Sequence, residues 1–286
     1  MKFRTELPIP QYPFQISYQD NILLLGSCFS DHIGTFLKNH SFSVLSNPFG
    51  TLFNPISIAN SLIMTRNPDL FSEKYFFYFD NHYVSFAHHG SFSHTNKYLF
   101  KKRIIEQFSI TKAFLERADY LFITFGTAYC YLFLERDIIV ANCHKIPNHQ
   151  FKKIRLSIDE IVQIYCKEII FILQSFNPSL KIIFTVSPVR HLGDGFHENQ
   201  LNKSILHLSI EQLIDEKKVF YFPAYEILMD DLRDYRFYAE DLCHPGENAV
   251  RYVEELFANS FFSQETIEKL KKNEKENKLL NHRKLK

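Results

Sequence analysis

Ser27 lies where the chemistry of this 286-residue chain is easiest to place. It follows the short apolar run 21–25 and Gly26, at a point where a strand would turn into a helix. Backbone N–H groups and the helix dipole at such a turn favour an anion, the charge that a serine attacking an ester creates on its substrate. Serine is also a common helix N-cap, so the turn alone leaves nucleophile and cap equally open. Ser30 and Asp31 compete for the cap, which slightly favours the nucleophile.

A serine nucleophile needs a base, and the base needs a group that orients it. Asp241 and His244 supply both types three residues apart, just before a predicted helix. Within one loop, Asp241 can hold His244 in the tautomer that accepts the serine proton. Taken without Ser27, the pair is more often a capping aspartate and a surface histidine. Cys28 and Cys243 could act as thiol nucleophiles, although cysteine is more commonly a small buried apolar residue.

The elements that must position these residues alternate along the chain. Strands are predicted at 21–25, 42–45, 120–125, 181–186 and 219–222, and helices at 31–39, 57–65, 104–117, 157–176, 199–217 and 246–258. Hairpins are predicted within 76–86 and 129–142. This alternation is typical of an α/β fold with a mostly parallel sheet covered on both faces.

Polar clusters follow three of the predicted strands, at 26–28, 126–128 and 187–191. In open parallel sheets, ligands bind outside the carboxyl ends of the strands. We therefore expect these three clusters to line one site.

Charge and composition limit the class of protein. With 33 basic and 32 acidic residues the net charge is +1, which argues against a nucleic-acid binder held by general electrostatics. The segment 265–286 is distinctly basic, so we expect one domain over 1–264 and a basic tail over 265–286.

Five scattered cysteines without a CxxC pair indicate reduced thiols and a cytoplasmic location. The first residues lack the apolar run of a signal peptide, and no stretch reaches the length of a membrane span. The histidines show neither an HxxxH pair on a clear helix nor zinc-type spacing with cysteine, so we expect no metal and no cofactor.

With these residues assembled, the chain resembles the GSCFA family, a branch of the SGNH/GDSL hydrolase superfamily. The naming motif appears as Gly26-Ser27-Cys28-Phe29-Ser30, with serine in place of the final alanine. Other segments that resemble the family are 47–55, 124–129, 140–147, 184–191, 222–226, 231–241 and 244–245. The resemblance spans residues from about 20 to 257.

The resemblance implies a flavodoxin-like three-layer α/β/α sandwich with a Ser27–His244–Asp241 triad. It also implies an oxyanion hole formed by the Ser27 N–H, a glycine N–H, for which Gly50 is the natural donor, and an asparagine side chain. At the third donor the sequence departs from the superfamily pattern Gly-x-Asn-Asp, since Thr127 follows Gly126 and is itself followed by alanine and tyrosine. Asn142 could supply the missing amide. One lost oxyanion donor costs about a hundredfold or more in rate.

Thr127, His89, Arg190 and His191, together with Lys145, lie in family-like motifs and are candidates for substrate binding. Thr127 could also replace the missing amide, more weakly than Asn142. A cationic group in the pocket would suit an acidic or phosphorylated substrate, but a structural salt bridge explains an arginine equally well.

Three hypotheses follow. The first is a serine hydrolase that acts on acyl esters, with acetyl esters of carbohydrates favoured by the resemblance, or an O-acyltransferase on the same fold. The second is a carbohydrate- or metabolite-binding protein that has lost turnover. The third is an interaction module that uses the basic tail. The expected partner is a small-molecule or carbohydrate ester, with no nucleic acid and no membrane.

Overall fold

The computed structural model describes residues 4–273. The strands are β1 (Asn21–Gly26), β2 (Ser43–Ser46), β3 (Phe76–Phe79), β4 (His82–Ser85), β5 (Tyr120–Phe125), β6 (Tyr129–Phe133), β7 (Ile138–Val140), β8 (Phe151–Arg155), β9 (Lys181–Val186) and β10 (Val219–Tyr221). The helices are α1 (Cys28–Asn39), α2 (Pro55–Arg66), α3 (Lys97–Leu115), α4 (Ile158–Ile164), α5 (Phe171–Phe176), α6 (Phe196–Glu211), α7 (Ala224–Glu226) and α8 (Glu247–Phe261). A π-helical segment, Tyr165–Ile170, joins α4 to α5, and another, Ile227–Leu232, follows α7.

The central sheet has the strand order β2–β1–β5–β9–β10, and all of these neighbours pair in parallel. This is the flavodoxin-like order, in which the direction of winding reverses between β1 and β5. A crevice forms at such a reversal because the connections leave to opposite faces. The predicted α/β fold with a mostly parallel sheet is confirmed.

Apolar residues on both faces of the strands explain the three layers. Leu23 and Leu25 of β1 pack into a cluster with α2, α3, α4 and α6, while Ile22 and Leu24 pack into a second cluster with α1 and α8. Strands buried on both sides are near-continuous apolar runs, as β1 and β5 are.

Two smaller antiparallel sheets are inserted around the central sheet, one formed by β3 and β4 and one with the order β7–β6–β8. Both predicted hairpins are present. The sequence analysis missed β8, which pairs with β6 and in which only Phe151 and Ile154 are half-buried.

Helix boundaries differ from prediction where a side chain captures backbone N–H groups. Helix α3 begins at Lys97 because the Asn96 side chain caps it by accepting from Leu99 N–H. Helix α6 ends at Glu211, short of the predicted end, and the Asp215 carboxylate then accepts from three successive N–H groups.

The predicted basic tail lies partly outside the described residues. Its first part is helical through residue 273, and Leu270 is buried in the cluster shared by α1 and α8. Within residues 4–273, no helix is long and apolar enough to cross a membrane.

Candidate active site

Ser27 lies at the turn between β1 and α1, at the reversal point of the sheet. Gly26 makes this turn with a φ of +129°, and a Cβ there would lie 2.1 Å from the Thr124 carbonyl oxygen of β5. Only glycine fits a backbone that approaches its neighbour this closely. The Asn47 side chain accepts from Gly26 N–H at 2.9 Å and so fixes the turn from the β2 side.

The structure assigns the α1 N-cap to Ser27, so the expectation that Ser30 or Asp31 would compete for it is wrong. Phe29 N–H donates to Ser27 Oγ at 3.3 Å, a long bond for a cap. Ser30 Oγ instead contacts the Leu25 carbonyl at 3.1 Å and Thr124 Oγ1 at 2.8 Å. The capping role does not remove Ser27 from the cleft, which its side chain lines.

Asp241 and His244 form one hydrogen-bonded unit. His244 Nδ1 and Asp241 Oδ2 are 2.5 Å apart, and Asp241 Oδ1 accepts from the N–H groups of Cys243 and His244 at 2.9 Å each. These bonds, the two backbone ones first, lower the pKa of Asp241 to about 2. The carboxylate is therefore ionised at neutral pH and favours the His244 tautomer that carries its proton on Nδ1.

The loop that carries this pair is strained and braced. Leu242, which lies between Asp241 and His244, has a φ of +56°, a left-handed conformation that is unfavourable for a leucine. Arg190 braces the loop, because its N–H donates to the Cys243 carbonyl at 3.0 Å and its guanidinium to the Leu242 carbonyl at 3.2 Å. The guanidinium also lies 5.4 Å to 5.7 Å from the ring centroids of Phe196, Tyr235 and Tyr238.

A cleft of about 410 Å³ brings these residues together. It is lined by Ser27, Cys28, Phe53, Gly126, Thr127, Ser187, Val189, Arg190, His191, Leu192, Asp241, Cys243 and His244. The prediction that the clusters after three strands share one site is confirmed. Within the described part of the chain, no hydrogen bond joins Ser27 Oγ to His244.

The backbone donors predicted for an oxyanion hole already have partners. Ser27 N–H donates to the Thr124 carbonyl at 3.3 Å, and Gly50 N–H donates to the Asn47 carbonyl at 2.8 Å. The weaker first bond is the easier of the two to exchange for an oxyanion.

Gly50, His89 and Asn142 form a group that is not part of the cleft lining. A Cβ on Gly50 would meet His89 Cβ at 2.2 Å, and one on Gly90 would lie 3.7 Å from Asn142 Nδ2. Asn142 Oδ1 accepts from His144 N–H at 2.7 Å. Lys145 is exposed nearby in a left-handed turn.

Thr127, Arg190 and His191 do line the cleft. Thr127 Oγ1 accepts from Tyr129 N–H at 3.1 Å, while the His191 ring lies 3.9 Å from the Asp194 carboxylate. Of these candidates, Arg190 has the most evident structural role, because it anchors the loop of Asp241 and His244.

Sequence reasoning missed several residues of the site. Phe53 and Leu192 form apolar walls. Beneath the floor, the Lys203 ammonium donates to the carbonyls of Gly126 at 2.9 Å and Ser187 at 2.7 Å. The sequence does carry a signal for Lys203, because its spacing from Leu206 and Ile210 is that of one buried helix face.

Cys28 and Cys243 also line the cleft, and the chain's five cysteines are all free thiols. Burial, followed by the charge of Asp31, raises the pKa of the Cys28 thiol. Since the thiolate is the nucleophilic form, this environment disfavours Cys28 as a nucleophile. Among residues 4–273, no three potential ligands from His, Cys, Asp and Glu are grouped so as to hold a metal ion.

Comparison with known proteins identifies one family. A profile of the GSCFA family matches residues 21–257. Among solved structures, a carbohydrate esterase family 3 protein from Talaromyces cellulolyticus is 8% identical with a TM-score of 0.41, covering 88% of this chain and 99% of its own. An acetyl xylan esterase from the rumen bacterium Butyrivibrio proteoclasticus is 10% identical with a TM-score of 0.44, covering 85% of this chain and 64% of its own. A comparison with curated protein sequences finds no match.

Proposed function

We propose that this chain, which belongs to the GSCFA family, is a serine hydrolase that cleaves acyl esters of carbohydrates, with acetyl as the acyl group. The observation that carries the proposal is the Asp241–His244 pair in the same cleft as a serine at a helix N-terminus. These are the base, its orienting group and the nucleophile that a triad mechanism requires.

In the first half-reaction, Ser27 Oγ attacks the carbonyl carbon of the ester while its proton passes to His244 Nε2. The bond between that carbon and the alcohol oxygen then breaks, and His244 returns the proton to the departing oxygen. In the second half-reaction, His244 deprotonates a water that attacks the acyl carbon. The bond from that carbon to Ser27 Oγ breaks, Ser27 regains the proton, and the carboxylic acid leaves and ionises.

Three features of the site support the roles within this mechanism. Asp241 is ionised at neutral pH, so it can stabilise the imidazolium that forms on His244. Ser27 directly precedes the 12-residue helix α1, and the dipole of that helix favours negative charge at this end. The Ser27 N–H would exchange its long bond to Thr124 for the oxyanion.

A short acyl group is supported by an adjoining cavity. This cavity measures about 20 Å³, has apolar walls, and shares Cys28, Val189 and His244 with the cleft. A space of that size holds about one water-sized group, which suits the methyl of an acetyl ester and not a long chain. We therefore expect the rate to fall steeply from acetyl to butyryl esters.

Exposed aromatic residues near the cleft support a carbohydrate as the alcohol part of the ester. Phe196 and Tyr235 are 67% and 62% exposed, and their ring centroids lie 5.4 Å and 5.7 Å from the guanidinium of Arg190, which lines the cleft. Exposed apolar groups rimmed by polar ones commonly mark ligand sites. Rings can contact the apolar face of a sugar, while Arg190 and His191 can donate to its hydroxyls.

The direct test is turnover of acetylated sugars by the wild type and by Ser27→Ala, with Ser187→Ala as the matched control, because Ser187 is an equally buried serine of the same cleft. We expect Ser27→Ala to abolish acetate release and Ser187→Ala to retain it. Equal loss in both variants, or activity that survives Ser27→Ala, would contradict the proposal. Transfer of acetyl to an added sugar in place of water would identify an O-acyltransferase.

One observation favours a second candidate, a carbohydrate-binding protein without turnover. Ser27 N–H and Gly50 N–H each already donate to a backbone carbonyl. A protein of this kind would bind acetylated sugars with the same affinity before and after Ser27→Ala and would release no acetate from them.

A further inference from the structure

Lys203 is a buried cation that lies directly beneath the floor of the cleft. It is 2% exposed on helix α6, and two of its three ammonium hydrogens donate to the Gly126 and Ser187 carbonyls. Gly126 directly follows β5 and Ser187 directly follows β9, so one side chain ties together the ends of two central strands.

This ammonium has no carboxylate partner within residues 4–273. The groups that face it are the Cys28 thiol from α1, His207 from its own helix, and the Tyr225 ring, whose centroid lies 5.7 Å away. Burying an unpaired cation is strongly unfavourable because the ammonium loses its hydration. The Gly126 and Ser187 carbonyls and the Tyr225 ring replace part of the lost hydration, but they carry no negative charge.

The position of the charge gives it a consequence for the cleft. Gly126, Ser187 and Cys28 all line the cleft, so the ammonium lies one residue layer below the surface that a substrate would contact. Charge acts more strongly through a water-poor interior than through solvent. Fixed dipoles and charges aimed at a developing anion also require no reorganisation during the reaction.

We infer that Lys203 is a positioning residue with an electrostatic function, which holds the ends of β5 and β9 in register and gives the cleft a positive potential that favours a bound anion. That anion is the oxyanion during turnover and a small carboxylate at rest. The catalytic half of this inference rests on the proposed function, whereas the carboxylate half does not. The charge would offset the absence of the asparagine amide at the turn after β5.

Acetate binding to the full chain, followed by ligand-observed NMR, tests the inference. We expect Lys203→Met and Lys203→Gln both to weaken acetate binding about tenfold or more relative to the wild type, while neutral acetamide binds equally to all three. Lys217→Met, which removes an exposed charge beyond α6, should leave acetate binding unchanged. Full rescue by Lys203→Gln, whose amide can donate but carries no charge, would overturn the inference and leave Lys203 a purely structural residue.

A measurement on the unaltered protein keeps the inference falsifiable if these variants do not fold. Burial lowers the pKa of Lys203 to about 7, so its Cε resonance should titrate far below those of the exposed lysines. Linkage requires that a carboxylate favoured by the ammonium raise that midpoint. Saturating acetate should therefore move the midpoint upward, and acetamide should not. An unchanged midpoint with bound acetate would contradict the inference.

Two further measurements separate this inference from the proposed function. Acetate binding that depends on Lys203 and persists in Ser27→Ala would support the inference even if no ester is cleaved. If esters are cleaved, Lys203→Met should lower kcat with little change in KM for an uncharged ester, because the charge acts on the transition state. A rise in KM with kcat unchanged would contradict the inference that Lys203 stabilises the oxyanion during turnover.

Discussion

The proposed nucleophile, Ser27, and its proposed base, His244, are held in place by opposite means. Ser27 is 1% exposed at a turn that only glycine at position 26 permits, at the end of β1, which lies between β2 and β5. The side chains of His244 and Asp241 are 51% and 49% exposed, on a loop whose own residue Leu242 is left-handed. The core of the sheet fixes one half of the site, and short-range hydrogen bonds fix the other.

Under the proposed mechanism, this difference places any movement that brings Ser27 and His244 together on the His244 side. Ser27 is held by the core of the sheet, whereas His244 lies on an exposed loop. Hydrogen bonds between catalytic groups are often long before substrate binds and tighten in the complex. Substitutions should therefore separate the two halves, with those at the turn acting on stability and those on the loop acting on activity.

His244→Ala should have the largest effect on turnover and almost none on folding. Loss of a triad base lowers kcat by about 10⁴-fold or more, while an exposed side chain contributes within about 0.5 kcal/mol to the free energy of unfolding. Steady-state kinetics and urea unfolding measure the two quantities. A large loss of stability would show that the His244 loop contributes to the core, which would contradict the difference between the two halves of the site.

Gly26→Ala should show the reverse pattern, with the free energy of unfolding reduced by more than about 2 kcal/mol. The reason is the 2.1 Å approach of a Cβ to the Thr124 carbonyl oxygen together with the φ of +129°. Gly193→Ala is the matched control, because a Cβ there has open space around it. Equal unfolding midpoints for the two variants would contradict the account of the turn.

The buried Lys203 beneath the cleft should also make the free energy of unfolding depend on pH. The pKa of Lys203 is lowered to about 7 by burial, so between about pH 7 and its unfolded pKa of about 10.4 the unfolded chain binds more protons than the folded one. Stability should therefore rise with pH across that window in the wild type and rise less in Lys203→Met. Unfolding free energies at pH 7 and pH 9.5 measure this slope, and identical slopes would contradict it.

Arg190→Met should lower kcat about tenfold and the free energy of unfolding by less than about 1 kcal/mol. The substitution removes the bond to the Leu242 carbonyl and the charge among three aromatic rings, but leaves the backbone bond to Cys243. Arg236→Met removes an exposed arginine paired with Asp234 and should leave kcat unchanged. If Arg190→Met changes only KM, substrate contact and not bracing is its main role.

Leu242→Asn should have the smallest effect, a gain of up to about 1 kcal/mol in the free energy of unfolding with kcat retained. Asparagine tolerates the left-handed φ of +56° better than leucine does. Leu208→Asn, at a similarly exposed leucine inside helix α6, should not stabilise the protein. A loss of stability at position 242 would mean that the leucine side chain contributes more than its backbone strain costs.

The fold could be predicted because its signals are local. Apolar runs ending in turn residues located each central strand, and the alternation with helices implied parallel order. The Asp241–His244 bond was likewise predictable, since the two residues are close in sequence. Strand β8 was missed because its apolar residues, Phe151 and Ile154, do not alternate as those of a typical strand do. Its pairing with β6 is not visible from sequence spacing.

Other features of the site depend on contacts across distant parts of the chain. The capping role of Ser27 could not be assigned from sequence, because Ser30 is drawn away by Thr124, which lies 94 residues later. Lys203 was overlooked because the sequence predicts where β5 and β9 end but not that the Gly126 and Ser187 carbonyls there face α6. The predicted oxyanion residues Gly50 and Asn142 remain predictions, placed beside His89 and not in the cleft lining.

Covalent labelling by a fluorophosphonate tests the central claim most directly, because the reagent reports an activated serine without any assumption about the substrate. Intact-mass spectrometry followed by peptide mapping should find one phosphonate per chain on Ser27 in the wild type and in Ser187→Ala. His244→Ala should slow the labelling strongly, and Ser27→Ala should abolish it. Absence of labelling in the wild type, or labelling that persists in Ser27→Ala, would contradict the claim that Ser27 is a nucleophile activated by His244.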